Sequence, residues 1–396
     1  MLKTSAAPEV WITGWGHTRF GILTDPLESL AVLASRQALR SAQVQAGEID
    51  EICVGHYNGG LGSMGYLLGL AAQADGETLF APTTRVQNAC ATGAAAVQQA
   101  FRSLRNGTAN AVLVLGAERM TVAAPSWTDR EPFGREKESA RPHSPVGFAT
   151  LFAKVAHAYS ERYGDVGDTL AQIAAKNLRN GVDNSWARLR TDLGVEFCLT
   201  PGPGNPMVAA PLRRTDCAPI SDGAAALVLT RAGSRTAGRA QRAVRLRSIG
   251  QAADYTPGHS RDPLAFDGAR TAWERCLSAG GLRLEDLDLV ELHDCFTIAE
   301  LLLYEALGMC APGKGRQVIE KGWALAAGRL PVNRSGGLIA RGHPIAATGV
   351  SQHVMAALQL TDSAGGMQLP VASRAGVFTM GGLAVSNFAS VLERIS

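Results

Sequence analysis

A cysteine set among small residues is the first candidate for chemistry: Cys90 stands in Asn88-Ala89-Cys90-Ala91-Thr92-Gly93-Ala94-Ala95-Ala96. The run predicts a turn that passes directly into a helix reaching about Leu104. A thiol at a helix N-terminus meets unpaired amides and the positive end of the dipole, which favour thiolate and can later hold an oxyanion. Small neighbours let a substrate approach. The competing reading is a buried thiol acting as a small apolar side chain.

Two further segments carry reactive types. In Asn333-Arg334-Ser335-Gly336-Gly337-Leu338-Ile339-Ala340-Arg341-Gly342-His343-Pro344, glycines permit close backbone packing and His343 opens a second helix. The helix dipole there would discourage protonation and suit the imidazole as a base toward a thiol; a lone His in a Gly-rich loop is more often structural. In Glu291-Leu292-His293-Asp294-Cys295-Phe296-Thr297, a His and a Cys lie two residues apart where a strand gives way to a helix. Strand geometry would point both side chains the same way. The bland alternative is a buried Cys beside Asp294 capping the helix that follows.

The elements that must position these residues alternate. Val10 to Ile12 predicts a strand, with Gly14 and Gly16 at a tight exit from the sheet. Asp25 is expected to cap and Pro26 to begin a helix whose apolar face includes Leu27, Leu30, Val32, Leu33, Ala38 and Leu39. Ile49 to Val54 and Ala111 to Leu115 are strand-like, so parallel sheet covered by helices is expected. From about residue 118 to 239 the pattern breaks into an Arg-, Pro- and Gly-rich stretch with helical pieces such as Thr169 to Leu178, ending near strand-like Ala225 to Thr230. This predicts an inserted, loop-rich subdomain.

The second half echoes the first. Ser278-Ala279 leads to Leu287–Leu292 as Ser41-Ala42 leads to Ile49–Val54, and the helix after His343-Pro344 precedes Gly376 to Thr379 as the Cys90 helix precedes Ala111. Two similar α/β halves, 1–245 and 246–396, would face each other across a site.

Composition narrows the class. With 38 basic and 35 acidic side chains among 396 residues, the net charge of +3 makes no case for nucleic acid. No run approaches the roughly 20 apolar residues of a membrane span, and the N-terminus lacks a signal-peptide run, so a soluble cytoplasmic protein is expected. Seven cysteines without C-x-x-C pairs argue against a disulfide framework and a structural zinc.

Taken together, the Cys90 segment, His293 to Phe296, Gly342 to Pro344 and Met380-Gly381-Gly382 resemble, in order and over nearly the whole chain, the thiolase superfamily and its sterol-carrier-protein-type branch. The resemblance implies duplicated α/β halves in a five-layer αβαβα fold with an inserted loop subdomain. It implies an acyl-CoA:acetyl-CoA C-acyltransferase in which His343 takes the proton of Cys90 and Cys90 carries the acyl group. Cys295 would serve as acid or base at the acetyl-CoA methyl, His293 and His343 would hold the enolate oxygen, and the amides of Cys90 and Gly381 would hold the oxyanion. CoA thioesters would be substrates, with no permanent cofactor and no metal. A homodimer or homotetramer, with an accessory protein in some relatives, would be the assembly.

Two positions depart from the family pattern. Thr379 stands where degradative thiolases carry a second catalytic cysteine, a loss that Cys295 would cover. Ala346 replaces a glycine after His343-Pro344. The alternatives are a ketoacyl synthase, which the Cys295 motif fits poorly, a steroid side-chain aldolase of the same fold, and a non-catalytic subunit. Arg213 and Arg214 could meet CoA phosphates, with solvated surface arginine as the default reading.

Overall fold

The computed structural model describes residues 8–57, 80–121, 147–254 and 261–395. The first half runs β1 (Val10–His17), α1 (Leu27–Ala42), β2 (Glu51–Gly55), β3 (Thr83–Val86), α2 (Thr92–Arg105) and β4 (Ala111–Glu118). Then come α3 (Phe148–Tyr163), α4 (Gly167–Val182), α5 (Gly194–Leu199), a hairpin of β5 (Met207–Ala209) and β6 (Leu212–Arg213), and β7 (Gly223–Arg231). The second half runs β8 (Val244–Ala253), α6 (Asp267–Gly280), β9 (Leu289–Glu291), α7 (Thr297–Ala306), α8 (Arg316–Glu320), α9 (Gly337–Arg341), α10 (Ile345–Leu360), β10 (Arg374–Gly381) and β11 (Ser386–Arg394).

Nine strands form one sheet in the order β3-β2-β4-β7-β1-β8-β11-β10-β9. Leaving out edge strand β3, the order reads the same from both ends in its pairing: β2/β4 and β9/β10 are parallel, while β4/β7, β7/β1, β10/β11 and β11/β8 are antiparallel. The halves join where Val10–Ile12 of β1 pairs antiparallel with Val244–Leu246 of β8. This is the duplication that the echoed segments predicted. Helix α1 covers β1 and β7, α6 covers β8 and β11, and α2 and α10 pack together between the halves, which gives the five layers.

Glycine sets how closely these layers approach. A Cβ on Gly93 would lie 2.4 Å from the Ala346 carbonyl oxygen, and one on Gly349 would lie 2.4 Å from the Ala94 nitrogen, so α2 and α10 cross with their backbones in contact. That crossing brings the two helix starts, and with them Cys90 and His343, to one place. Strand β4 is buried at all eight positions because α1 lies on one face and α2 with α10 on the other, which explains its unbroken apolar run.

Three local expectations change. Gly14 and Gly16 lie within β1 rather than at its exit, and the backbone of α1 occupies the space their side chains would need. Their closeness draws the Ala34/Ala38/Ala42 side of α1 onto the sheet and leaves Leu33 48% exposed. Pro26, not Asp25, is the α1 N-cap residue, and no side chain caps the helix.

The insert also differs from its sequence reading. Residues 122–146 lie outside the described residues. Strand β7, which was placed inside the stretch ending near 239, instead lies in the central sheet between β4 and β1, where Ala224 to Leu229 are fully buried. The change of half falls in the connection at 232–243, before β8, because β8 is continuous from Val244 and the 245/246 division would cut it. Between β4 and β7, α3 and α4 are full 16-residue helices.

Candidate active site

Cys90 lies on the turn between β3 and α2, one residue after Ala89, whose φ of 48° is unusual for a residue other than glycine. Local bonds fix the turn: Thr92 Oγ1 accepts from the Asn88 amide at 2.9 Å and donates to the Ala89 carbonyl at 2.5 Å. Gly381 lies beneath it. A Cβ there would meet the Asn88 carbonyl oxygen at 2.5 Å, so only glycine lets β10 press against the turn.

The thiol is not the activated thiolate that a helix start suggests. Burial pushes Cys90 up to about 11, outweighing the amides of Gly382 and of Cys90 itself, which donate toward the sulfur, and the Glu118 charge raises it further. Helix α2 begins two residues later, at Thr92. The amide reaching the sulfur from the Gly-rich strand end is that of Gly382. A base must therefore take the proton.

His343 is the imidazole whose hydrogen bonds suit it to accept a proton. Thr348 has one hydroxyl proton, and it donates to the Pro344 carbonyl at 3.0 Å. The same oxygen lies 2.7 Å from His343 Nδ1; with the hydroxyl proton on the carbonyl it accepts from Nδ1–H, the tautomer in which Nε2 presents its lone pair. Nε2 is buried without a protein partner. Burial, and then the Arg341 charge, push His343 down to about 3.

His293 completes the convergence. Its ring packs edge-on to His343 at 5.1 Å between centroids, and among the described residues neither of its nitrogens has a hydrogen-bond partner although the residue is fully buried. Ligating atoms of Cys90, His293 and His343 all lie within 4.8 Å of one another. Burial, then His343 and Arg341, hold His293 well below the ordinary imidazole range. Cys295 is pushed well up by burial and then by Cys90 and Asp294, so it rests as a protonated thiol. Thr379 is withdrawn from chemistry, since its hydroxyl donates to Gln352 Oε1 at 2.7 Å.

Behind these groups lies a buried polar network that the sequence reading missed. Asp294 does not cap the helix that follows it. Its carboxylate instead accepts from the amides of Leu338 and Ile339 at 2.7 and 3.2 Å, in the segment leading to His343, and from Asn177 Nδ2 at 2.8 Å. A Cβ on Gly337 would collide with that carboxylate at 2.2 Å. Glu300 takes Lys176 at 2.7 Å, Asn177 at 2.7 Å, Asn333 at 3.0 Å and the Tyr304 hydroxyl. Glu291 takes Ser335 at 2.5 Å and Arg341 at 3.4 Å.

Helix α4 of the insert therefore docks on the site through a polar stripe. Asn180 donates to the Asn333 carbonyl at 3.0 Å, and Asn184, just past the helix, donates to that of Ser335 at 2.8 Å. The segment before β7 adds backbone bonds from His343 to Pro219 at 3.3 Å and from Ala218 to Cys295 at 3.0 Å. Arg213 is structural and buried rather than solvated: it pairs with Asp216 at 2.9 Å and donates to the carbonyls of Leu199 and Gly167. Arg214 is exposed.

Comparison with known proteins agrees with this geometry. Residues 12–190 match the family model of the thiolase N-terminal domain, and residues 250–394 match the thiolase C-terminal domain-like model. The chain belongs to the thiolase family and is an acyltransferase of that class. It is 33% identical over 378 residues to an acetyl-CoA acetyltransferase of Methanothermobacter thermautotrophicus, covering 94% of this chain and 96% of the relative. It is 30% identical to sterol carrier protein 2 of Oryctolagus cuniculus, over 93% of this chain and 69% of that one. Among solved structures, the Ltp2-ChsH2(DUF35) aldolase superposes with a TM-score of 0.82 at 20% identity, covering 98% of this chain and 99% of that one, a likeness of fold. Among the described residues, no helix is long and apolar enough to cross a membrane.

Proposed function

We propose that the chain forms or cleaves a 3-ketoacyl-CoA from acyl-CoA and acetyl-CoA through an acyl-enzyme on Cys90. The observation that carries this reading is the meeting of the Cys90 sulfur with the two histidines within 4.8 Å, with the Nε2 lone pair of His343 left free by Thr348. His343 takes the thiol proton as the sulfur attacks the thioester carbonyl, and returns it to the departing CoA sulfur. This leaves a thioester on Cys90. Splitting the transfer into two steps is the gain from covalent catalysis. The amides of Cys90 and Gly381 are the oxyanion donors of this reading, and donors fixed where charge develops are each worth about 3 kcal/mol.

In cleavage, protonated Cys295 gives its proton to the acetyl-CoA enolate carbon. In synthesis it removes a methyl proton, and the enolate attacks the acyl carbon on Cys90. The unpartnered nitrogens of His293 and His343 suit the enolate oxygen. The family resemblance implies a homodimer or homotetramer, and edge strand β3 offers a second copy an open side among the described residues.

Intact-mass measurement after exposure to a panel of acyl-CoAs tests the reading. The wild-type chain should gain one acyl group, and Cys90→Ala should gain none. An acyl adduct retained by Cys90→Ala would remove the nucleophile from this account. Cleavage of a β-hydroxyacyl-CoA with no adduct would favour the aldolase alternative, and no turnover at all would favour a non-catalytic subunit.

A further inference from the structure

We propose that Cys90, His293 and His343 also form a capture site for a thiophilic divalent cation such as zinc, and that its occupancy reversibly blocks acyl transfer. The binding claim rests on geometry alone, whereas the blocking claim rests on the function proposed above. One thiol and two imidazoles are the donor types that zinc takes, and three protein ligands leave a fourth position for water or substrate. Their ligating atoms lie within 4.8 Å of one another. Zinc bonds of about 2.0–2.3 Å in a tetrahedron place ligand atoms roughly 3.3–3.8 Å apart, so the donors need to close by about 1.5 Å at most.

The second observation is that the available nitrogens are aimed without partners. Among the described residues, both ring nitrogens of His293, which is fully buried, and Nε2 of His343 lack a hydrogen-bond partner. His343 already has the arrangement of a metal-bound histidine: its other nitrogen is tied to the Thr348 hydroxyl at 2.7 Å, fixing the tautomer and the ring. Cys295 is not part of the three-residue cluster. Binding expels one proton from the Cys90 thiol to solvent and forms a sulfur–zinc bond, with no change of oxidation state. Affinity should therefore rise about tenfold per pH unit while the free thiol is protonated.

The probe is Zn²⁺ alone, titrated into the full chain against a chromogenic chelator with a non-coordinating phosphine as reductant. Cobalt(II) then reports the sulfur ligand by its thiolate charge-transfer band. One tight site per chain is expected, lost in Cys90→Ala and in His293→Ala, weakened about 10- to 100-fold in Thr348→Val, and kept in Cys295→Ala. Thermal melting shows which variants are folded. Zinc binding that is equal in wild type and Cys90→Ala, or lost equally in Cys295→Ala, would overturn the assignment. One equivalent of zinc should also prevent acyl-adduct formation until a chelator is added, and an adduct that forms regardless would overturn the blocking claim. A chain that binds zinc as described yet never acylates would leave the site standing and remove the proposed function.

Discussion

The turns before α2 and α10 occupy equivalent places in the two halves, yet they are held in different ways. The Cys90 turn is fixed locally, by Thr92 and by the close approach of Gly381. The His343 turn is fixed from a distance: Asp294 caps the segment before it, Pro219 pairs with its amide, and the insert reaches Asp294 through Asn177. The fold therefore keeps the proposed nucleophile on a locally held turn and the proposed base on a network of buried polar groups. Duplication supplied two similar frames, and burial of polar groups made them unequal.

The largest expected contrast between the turns is in stability. Asp294→Ala strands two buried amides and the Asn177 side chain, and should cost about 3–5 kcal/mol, as removing one partner of a buried charged set does. Cys90→Ala removes one sulfur atom from a small-residue turn and should stay within about 1 kcal/mol. Denaturant unfolding of both variants checks the pair, and equal losses would erase the distinction.

A second contrast is kinetic. His343→Ala should slow iodoacetamide alkylation of Cys90 near neutral pH by about 10²-fold or more, because a positioned base contributes on that scale. Thr348→Val should slow it by less, about tenfold, since the base remains while its tautomer is released. Unchanged rates in both variants would remove His343 from the proton path.

A third contrast is the acid response. The pKa of His343 is lowered to about 3, and that of His353, buried in the same half, to about 4. The unfolded chain binds these protons below about 6.5 while the native chain does not, so their contribution to stability should fall as pH drops from 6.5 toward 4. Asp294, which burial and the Glu300 charge raise to about 7, acts in the opposite sense, so the test is the difference in Tm between wild type and His353→Gln: it should shift against wild type as pH falls, and a difference independent of pH would contradict the buried neutral imidazole.

The sequence made the convergence of Cys90, His293 and His343 legible because each sits in a short motif at a strand-to-helix turn. It also revealed the duplication, because equivalent segments keep their spacing. The supporting network stayed hidden. Lys176, Asn177, Asn180 and Asn184 follow helical spacing beside apolar Leu170, Ile173 and Leu178, but a polar stripe ordinarily reads as a solvated face. Here it is buried against the catalytic segments. The protonation states were misread for the same reason: helix position suggested a thiolate at Cys90, while burial, which no local pattern displays, holds the proton on the sulfur.

The central claim is a division of labour between two thiols, and deuterium uptake from solvent into the acetyl-CoA methyl group tests it most directly. Cys295→Ala should still accept an acyl group on Cys90 but exchange about 10²- to 10⁴-fold more slowly than wild type, because the proton carrier is gone. Exchange at the wild-type rate by an acylated Cys295→Ala enzyme would show that Cys295 is structural and would contradict the account.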